Sequence, residues 1–126
     1  IIQQIVHELK FDLKLHSVPT FREPDGLAMS SRNLRLNFSQ RQQATVFHEA
    51  LLAARKKLNS GESVSAVKQQ VSEIVAKADG VSLEYFEVAE SKNLNVLEFV
   101  NGAEMPILCI AGYVGDIRLI DNMFLK

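Results

Sequence analysis

No apolar run in this 126-residue chain approaches the roughly 20 residues needed for a membrane-spanning helix. The longest, Met105 to Val114, contains Pro106 and Cys109 and has the two-residue spacing of a buried strand. There is one cysteine, which excludes an intramolecular disulfide and any multi-cysteine metal site. It stands in Ile107-Leu108-Cys109-Ile110-Ala111, the setting of an inert core thiol rather than a nucleophile, and is compatible with a reducing cytosol. The three histidines, His7, His16 and His48, share no metal-ligand spacing, and each reads as structural or exposed. No Ser-His-Asp or Cys-His arrangement occurs in its usual motif context. Internal repeats and low-complexity tracts are also missing.

What is present fits one ordinary domain, or a small domain with part of another: 47% hydrophobic and 23% charged residues, as in soluble globular chains. Net charge is only −1, but it is unevenly spread. From Leu13 to Lys57, eight basic residues (Lys14, Arg22, Arg32, Arg35, Arg41, Arg55, Lys56, Lys57) face three acidic ones (Glu23, Asp25, Glu49). That segment is +5 and the remainder −6. Such a zone suits a small anionic ligand and is too weak, and too poor in interleaved aromatics, for nucleic acid.

Ile1, Ile2, Ile5, Val6 and Leu9 have helical spacing, predicting an amphipathic helix over residues 1–10. Leu13, Leu15 and Ser17 alternate with Lys14, His16 and Val18 before Pro19, which predicts a short strand. A helix beginning in mid-stride and followed by one strand resembles the closing unit of an α/β sheet, so the natural polypeptide is expected to continue upstream. Ser39, three residues before Gln42, has capping-box spacing for a helix over 40–58 with Ala44, Phe47, Leu51, Ala54 and Leu58 on its apolar face. Arg55, Lys56 and Lys57 suit the negative end of that helix, and Asn59-Ser60-Gly61 stops it. Ser63 can cap a second helix that buries Val64, Val67, Val71, Ile74, Val75 and Ala78 and ends at Asp79-Gly80. Strands are predicted at Val81–Val88, Ile107–Tyr113 and Ile117–Ile120, the last two joined by a Gly115-Asp116 hairpin turn. The Ser91–Gly102 connection has apolar anchors at Leu94, Val96, Leu97 and Val100. The fold class is therefore α+β, a helical hairpin on a small three-stranded antiparallel sheet.

Chemistry concentrates in one loop, Arg22 to Asn33. Pro24 removes a backbone donor and Gly26 opens backbone conformations closed to other residues. Ser30 and Ser31 add hydroxyls, and Arg32 adds a planar cation able to grip phosphate oxygens with two bonds. This composition makes a phosphate clamp; its plainer alternative is an exposed linker. Glu23 and Asp25 can either shape the loop or act in it, and Arg118-Leu119-Ile120-Asp121-Asn122 reads as a hairpin edge with satisfied hydrogen bonds.

The string Val18-Pro19-Thr20-Phe21-Arg22-Glu23, followed by Asp25-Gly26-Leu27-Ala28-Met29-Ser30-Ser31-Arg32-Asn33, closely resembles the nucleotide loop of the pantothenate synthetase (pantoate–β-alanine ligase) family. Arg118 to Asn122 resembles that family's C-terminal signature. The resemblance implies an enzyme of the nucleotidyltransferase superfamily, related to class I aminoacyl-tRNA synthetases and serving coenzyme A biosynthesis in the cytoplasm. Such enzymes use ATP and Mg²⁺ to convert pantoate to pantoyl adenylate, which β-alanine attacks to give pantothenate and AMP. It implies that Met29-Ser30-Ser31-Arg32 is the counterpart of the synthetases' KMSKS loop. Ser30, Ser31 and Arg32 would contact the ATP phosphates, with the Met29 backbone and Phe21, at a position commonly Val, against the nucleotide.

By the same resemblance, residues 1–20 would be the last helix and strand of a Rossmann-like domain, 21–35 the ATP loop and hinge, and 36–126 a C-terminal lid. The family's histidine motif, Gly-Glu-Lys-Asp segment and pantoate-binding glutamines are not in this chain. No catalytic residue or metal ligand is expected in it; pantoate and β-alanine would be met by the N-terminal domain, and the chain alone would be inactive. The full-length enzyme would be a homodimer with no nucleic-acid or membrane partner. A non-catalytic binding or assembly module and a tRNA-synthetase fragment are the alternatives, the latter opposed by the modest basic balance.

Overall fold

A computed structural model of the chain describes residues 2–126. Its frame is an antiparallel sheet of β1 (Val81–Glu90), β2 (Pro106–Val114) and β3 (Ile117–Phe124), in that spatial order. β-Branched and aromatic residues fill these strands, as a half-buried pleated surface favours. Val114 pairs with Ile117, so Gly115-Asp116 is the expected two-residue turn. The register sets Phe86 beside Ile110 and Val88 beside Leu108, and Gly112 beside Leu119. With side chains alternating along each strand, these residues share one face with Val114 and Ile117.

That face carries the helical hairpin of α3 (Val46–Asn59) and α4 (Val64–Ala76), with α4 against β1 and α3 against β2 and β3. Phe47, Leu51, Ala54 and Leu58 of α3 and Val64, Val67, Val71 and Val75 of α4 are buried there. The Phe47 ring lies so close to β2 that a Cβ at Gly112 would come within 2.6 Å of it. Only glycine lets the helix settle this deeply.

Ser63 caps α4 as expected, its side chain accepting from the Ala66 amide. The predicted 40–58 helix differs: it is split into α2 (Phe38–Gln43) and α3, and its cap is Asn37, not Ser39. Asn37 and Gln40 form a reciprocal capping box, the same spacing two residues earlier. The break lies at Ala44-Thr45, where the Thr45 hydroxyl donates to the Gln42 carbonyl and gives the backbone a local alternative to a continuous helix. In the 91–102 connection, Leu97 and Val100 pack against the core while Leu94 and Val96 stay exposed.

The N-terminal helix α1 (Ile2–Glu8) is shorter than predicted; Ile1 lies outside the described residues. Lys10, at φ 51, closes it with paired bonds from the Phe11 amide to Val6 and the Lys10 amide to His7. The strand predicted at Leu13–Ser17 is not formed. Its alternation is real, but a strand exists through lateral hydrogen bonds, and among the described residues none lies beside it. Nothing in α1 is buried, and Ile2, Ile5, Leu9, Phe11, Leu13 and Leu15 are exposed. No helix among the described residues is long and apolar enough to cross a membrane.

Candidate functional site

The Arg22–Asn33 loop divides into a root and a tip. At the root, Arg22 bridges Ala28 in a miniature antiparallel pairing, and the Met29 amide donates to the Phe21 carbonyl. Asp25 turns the chain: its carboxylate accepts from the Leu27 amide at 3.2 Å and from both Arg41 Nη atoms at 2.7 and 3.0 Å. The Arg41 guanidinium holds the Asp25 carboxyl below the usual carboxylate range. Asp25 thus shapes the loop. Leu27 is buried in the main core.

Arg22 makes the deepest attachment. Its two Nη atoms reach Asp121 Oδ2 and Oδ1 at 2.7 and 3.0 Å, and also donate to the carbonyls of Gly26 and Asn122 at 2.9 and 3.1 Å. Asp121 pairs with Ile110 and follows Ile117 and Leu119 at two-residue spacing, so it occupies the helix-facing side of the sheet. Its side chain is 6% exposed and that of Arg22 is 22% exposed. An inward carboxylate in an apolar stripe needs such a partner. Reading Arg118–Asn122 as a plain hairpin edge covers Arg118, which pairs with Glu84, but overlooks Asp121.

His48 of α3 packs against the root. A Cβ on Gly26 would sit 2.2 Å from its Cδ2, and Gly26 has φ 92, so glycine is required twice over. Burial, then the neighbouring Arg22 charge, holds the His48 imidazole below the usual range. Its Nδ1 is buried without a partner among the described residues.

The tip is different. Ser30 caps a 3₁₀ turn over Ser31–Arg35, its hydroxyl oxygen accepting from the Arg32 amide. Asn33 Nδ2 donates to the Ala28 carbonyl, tying tip to root. Met29, Ser30, Ser31 and Arg32 are all exposed. Among the described residues the Arg32 guanidinium makes no hydrogen bond or ion pair.

A cavity of about 270 Å³ opens beneath the tip, lined by Met29, Ser30, Arg32 and Asn33 on one side and Phe47, Leu119, Asp121 and Asn122 on the other. The structure thus brings together three of the five residues singled out in the sequence. Ser31 and Phe21 do not line the cavity, and Phe21 is 77% exposed. Arg22, Asp121 and Asn122 stand in the strings that carry the resemblance, and His48 reads from the sequence as structural or exposed, but none of the four is assigned to the site there. Strand alternation could have exposed Asp121 as an inward charge; no sequence signal pairs it with Arg22.

A sequence model of the family described as pantoate-beta-alanine ligase matches residues 1–124. The chain belongs to the pantoate–β-alanine ligase family. Pantothenate synthetases of Salinibacter ruber and Fervidobacterium nodosum are 36% and 38% identical to it over 127 residues, covering all of this chain and 43% and 44% of theirs. The chain thus spans less than half the length of these curated relatives. The crystal structure of pantothenate synthetase from Thermus thermophilus matches with a TM-score of 0.88 at 32% identity, over 99% of this chain and 45% of that one. The Francisella tularensis pantoate-beta-alanine ligase, complexed with beta-gamma ATP and beta-alanine, shares the fold with a TM-score of 0.62 at 24% identity, over 98% of this chain and 38% of that one. Pantoate–β-alanine ligase membership sets aside the tRNA-synthetase alternative.

Proposed function

We propose that this chain is the C-terminal part of an ATP-dependent pantoate–β-alanine ligase, and that its loop tip grips the ATP phosphates. The observation carrying this reading is an Arg32 guanidinium without a partner among the described residues, beside an exposed Ser30, at the mouth of a cavity, in a chain matched by the family from residue 1 to 124. The buried Leu27 and the four-bond Arg22 fork favour a built site over a linker. Residues 1–20 would complete an N-terminal Rossmann-like domain, whose surface would cover the exposed apolar residues of α1 and the following segment. Residues 21–35 would be the ATP loop and hinge, and residues 36–126 the lid. The full-length enzyme would be a cytoplasmic homodimer.

The residues present suit this part of the reaction. When the pantoate carboxylate attacks the α-phosphorus, the bond to pyrophosphate breaks and negative charge grows on the leaving group. Donors from Ser30, Ser31 and Arg32 aimed at that charge would lower the barrier, and removing one such donor costs on the order of 10²–10³ in rate. The Met29 backbone and Phe21 would lie against the nucleotide. Closure of the tip would shield the acyl adenylate from water until β-alanine attacks. The donor set does not suit a Mg²⁺ ion held by this chain. The cavity's one carboxylate, Asp121, is already taken by Arg22, and no cluster of metal-binding side chains occurs among the described residues.

A chimera tests this reading: residues 21–126 joined to the N-terminal half of the Salinibacter ruber enzyme and supplied with ATP, pantoate and β-alanine. The chimera is expected to form pantothenate, and Arg32→Ala to slow it on the order of 10²–10³. A folded chimera whose rate ignores Arg32→Ala would overturn the role of the tip. The unfused chain is expected to form none.

A further inference from the structure

Among the described residues the tip makes only local hydrogen bonds, within itself and to Ala28, while its 3₁₀ turn rests against β3 without a polar tie to it. The root in turn meets the sheet through one polar junction, joining residues 99 positions apart. We infer that the Arg22–Asp121 fork is a latch that holds the phosphate loop in register with β3, making Arg22 and Asp121 positioning residues for the site. This rests on the phosphate-gripping role proposed above.

Three features support the latch. A buried ion pair is weak evidence for stability, since an apolar pair of similar volume often serves as well or better. What the fork supplies beyond an apolar contact is direction: four hydrogen bonds from one planar group fix the Gly26 turn, the Asp121 carboxylate and the Asn122 carbonyl together. The junction also lies in the cavity wall, because Asp121 and Asn122 line the same space as Ser30 and Arg32. Finally, Arg22 neutralises a carboxylate that would otherwise face an incoming phosphate. Loss of Arg22 would therefore both free the loop and leave a repelling charge beneath it.

Hydrogen exchange on the 126-residue chain separates this from a merely structural role. In Arg22→Lys, which keeps the charge but cannot form the fork, the Glu23, Gly26 and Met29 amides should exchange about tenfold faster. Core amides such as Val88 and Ile110 should keep their wild-type rates. Arg22→Met/Asp121→Leu, which replaces the pair by apolar groups, should show the same split and guards against misfolding of the single variant. ATP affinity, read from the Ser30–Asn33 amide shifts, should fall several-fold in Arg22→Lys. Loop exchange at the wild-type rate in either folded variant, or unchanged ATP affinity, overturns the latch. A wild-type chain that shows no ATP response counts against the phosphate role, and the exchange measurement then decides the latch alone.

Discussion

The root and the tip of one loop, a few residues apart, are built on opposite principles. The root has a buried leucine, a turn pressed against His48, and ion pairs to α2 and β3. The tip has exposed hydroxyls and a cation with no partner among the described residues. Under the proposed function, the exposed tip side chains are the ones that would meet the phosphates, and the order they need is supplied one step away by the root. Stability and binding should therefore respond to different substitutions.

Leu27→Ala should break the comparison most severely. It removes a buried side chain from the root and should cost about 2–4 kcal/mol in urea unfolding, whereas Leu34→Ala, at an exposed position of the 3₁₀ turn, should stay within about 0.5 kcal/mol. Equal effects would erase the distinction. Gly26→Ala adds a Cβ to a residue at φ 92 and into the space of His48, and should destabilise the chain by about 2 kcal/mol. A crystal structure of that variant should show the His48 ring displaced.

The root should also be sensitive to pH. His48 faces Arg22, Arg55, Asp121 and Glu49, and burial holds its folded pKa below the reference value of 6.5. The unfolded chain therefore takes up this proton first. Stability is full above pH 6.5 and declines as the pH falls below it towards the folded value. Denaturation profiles of the wild type and His48→Gln should diverge in that window, with the wild type losing more. Parallel profiles would show that His48 is not burdened by its surroundings.

Smaller effects sharpen the boundary. Asp25→Asn weakens an exposed pair with Arg41 and should cost no more than about 1 kcal/mol, diminishing with added salt. Ser31→Ala at the tip should leave thermal unfolding unchanged and act only when nucleotide is present.

Much of the scaffold is legible in the sequence because its signals are local. Alternation in Ile107–Tyr113, helical spacing from Phe47 to Leu58 and the Ser63 cap each need only neighbouring residues to be read. The tip is legible for the same reason, since Ser30-Ser31-Arg32 is one contiguous string. The failures are non-local. Leu13–Ser17 alternates but has no strand beside it, and the competing caps Asn37 and Ser39 have identical spacing, so tertiary packing chooses between them. The Arg22–Asp121 fork joins opposite ends of the chain, and no periodicity can announce it.

The central claim is that an ordered root presents a free tip to ATP phosphates, and amide chemical shifts of the chain titrated with ATP test it most directly. The account predicts saturable shifts at Met29 to Asn33 and at the Asp121 and Asn122 wall, with little change in α4. In Arg32→Ala those shifts should be lost while the spectrum otherwise remains that of the folded chain. A folded wild-type chain whose loop amides stay unmoved by ATP, or shift equally in Arg32→Ala, would contradict it.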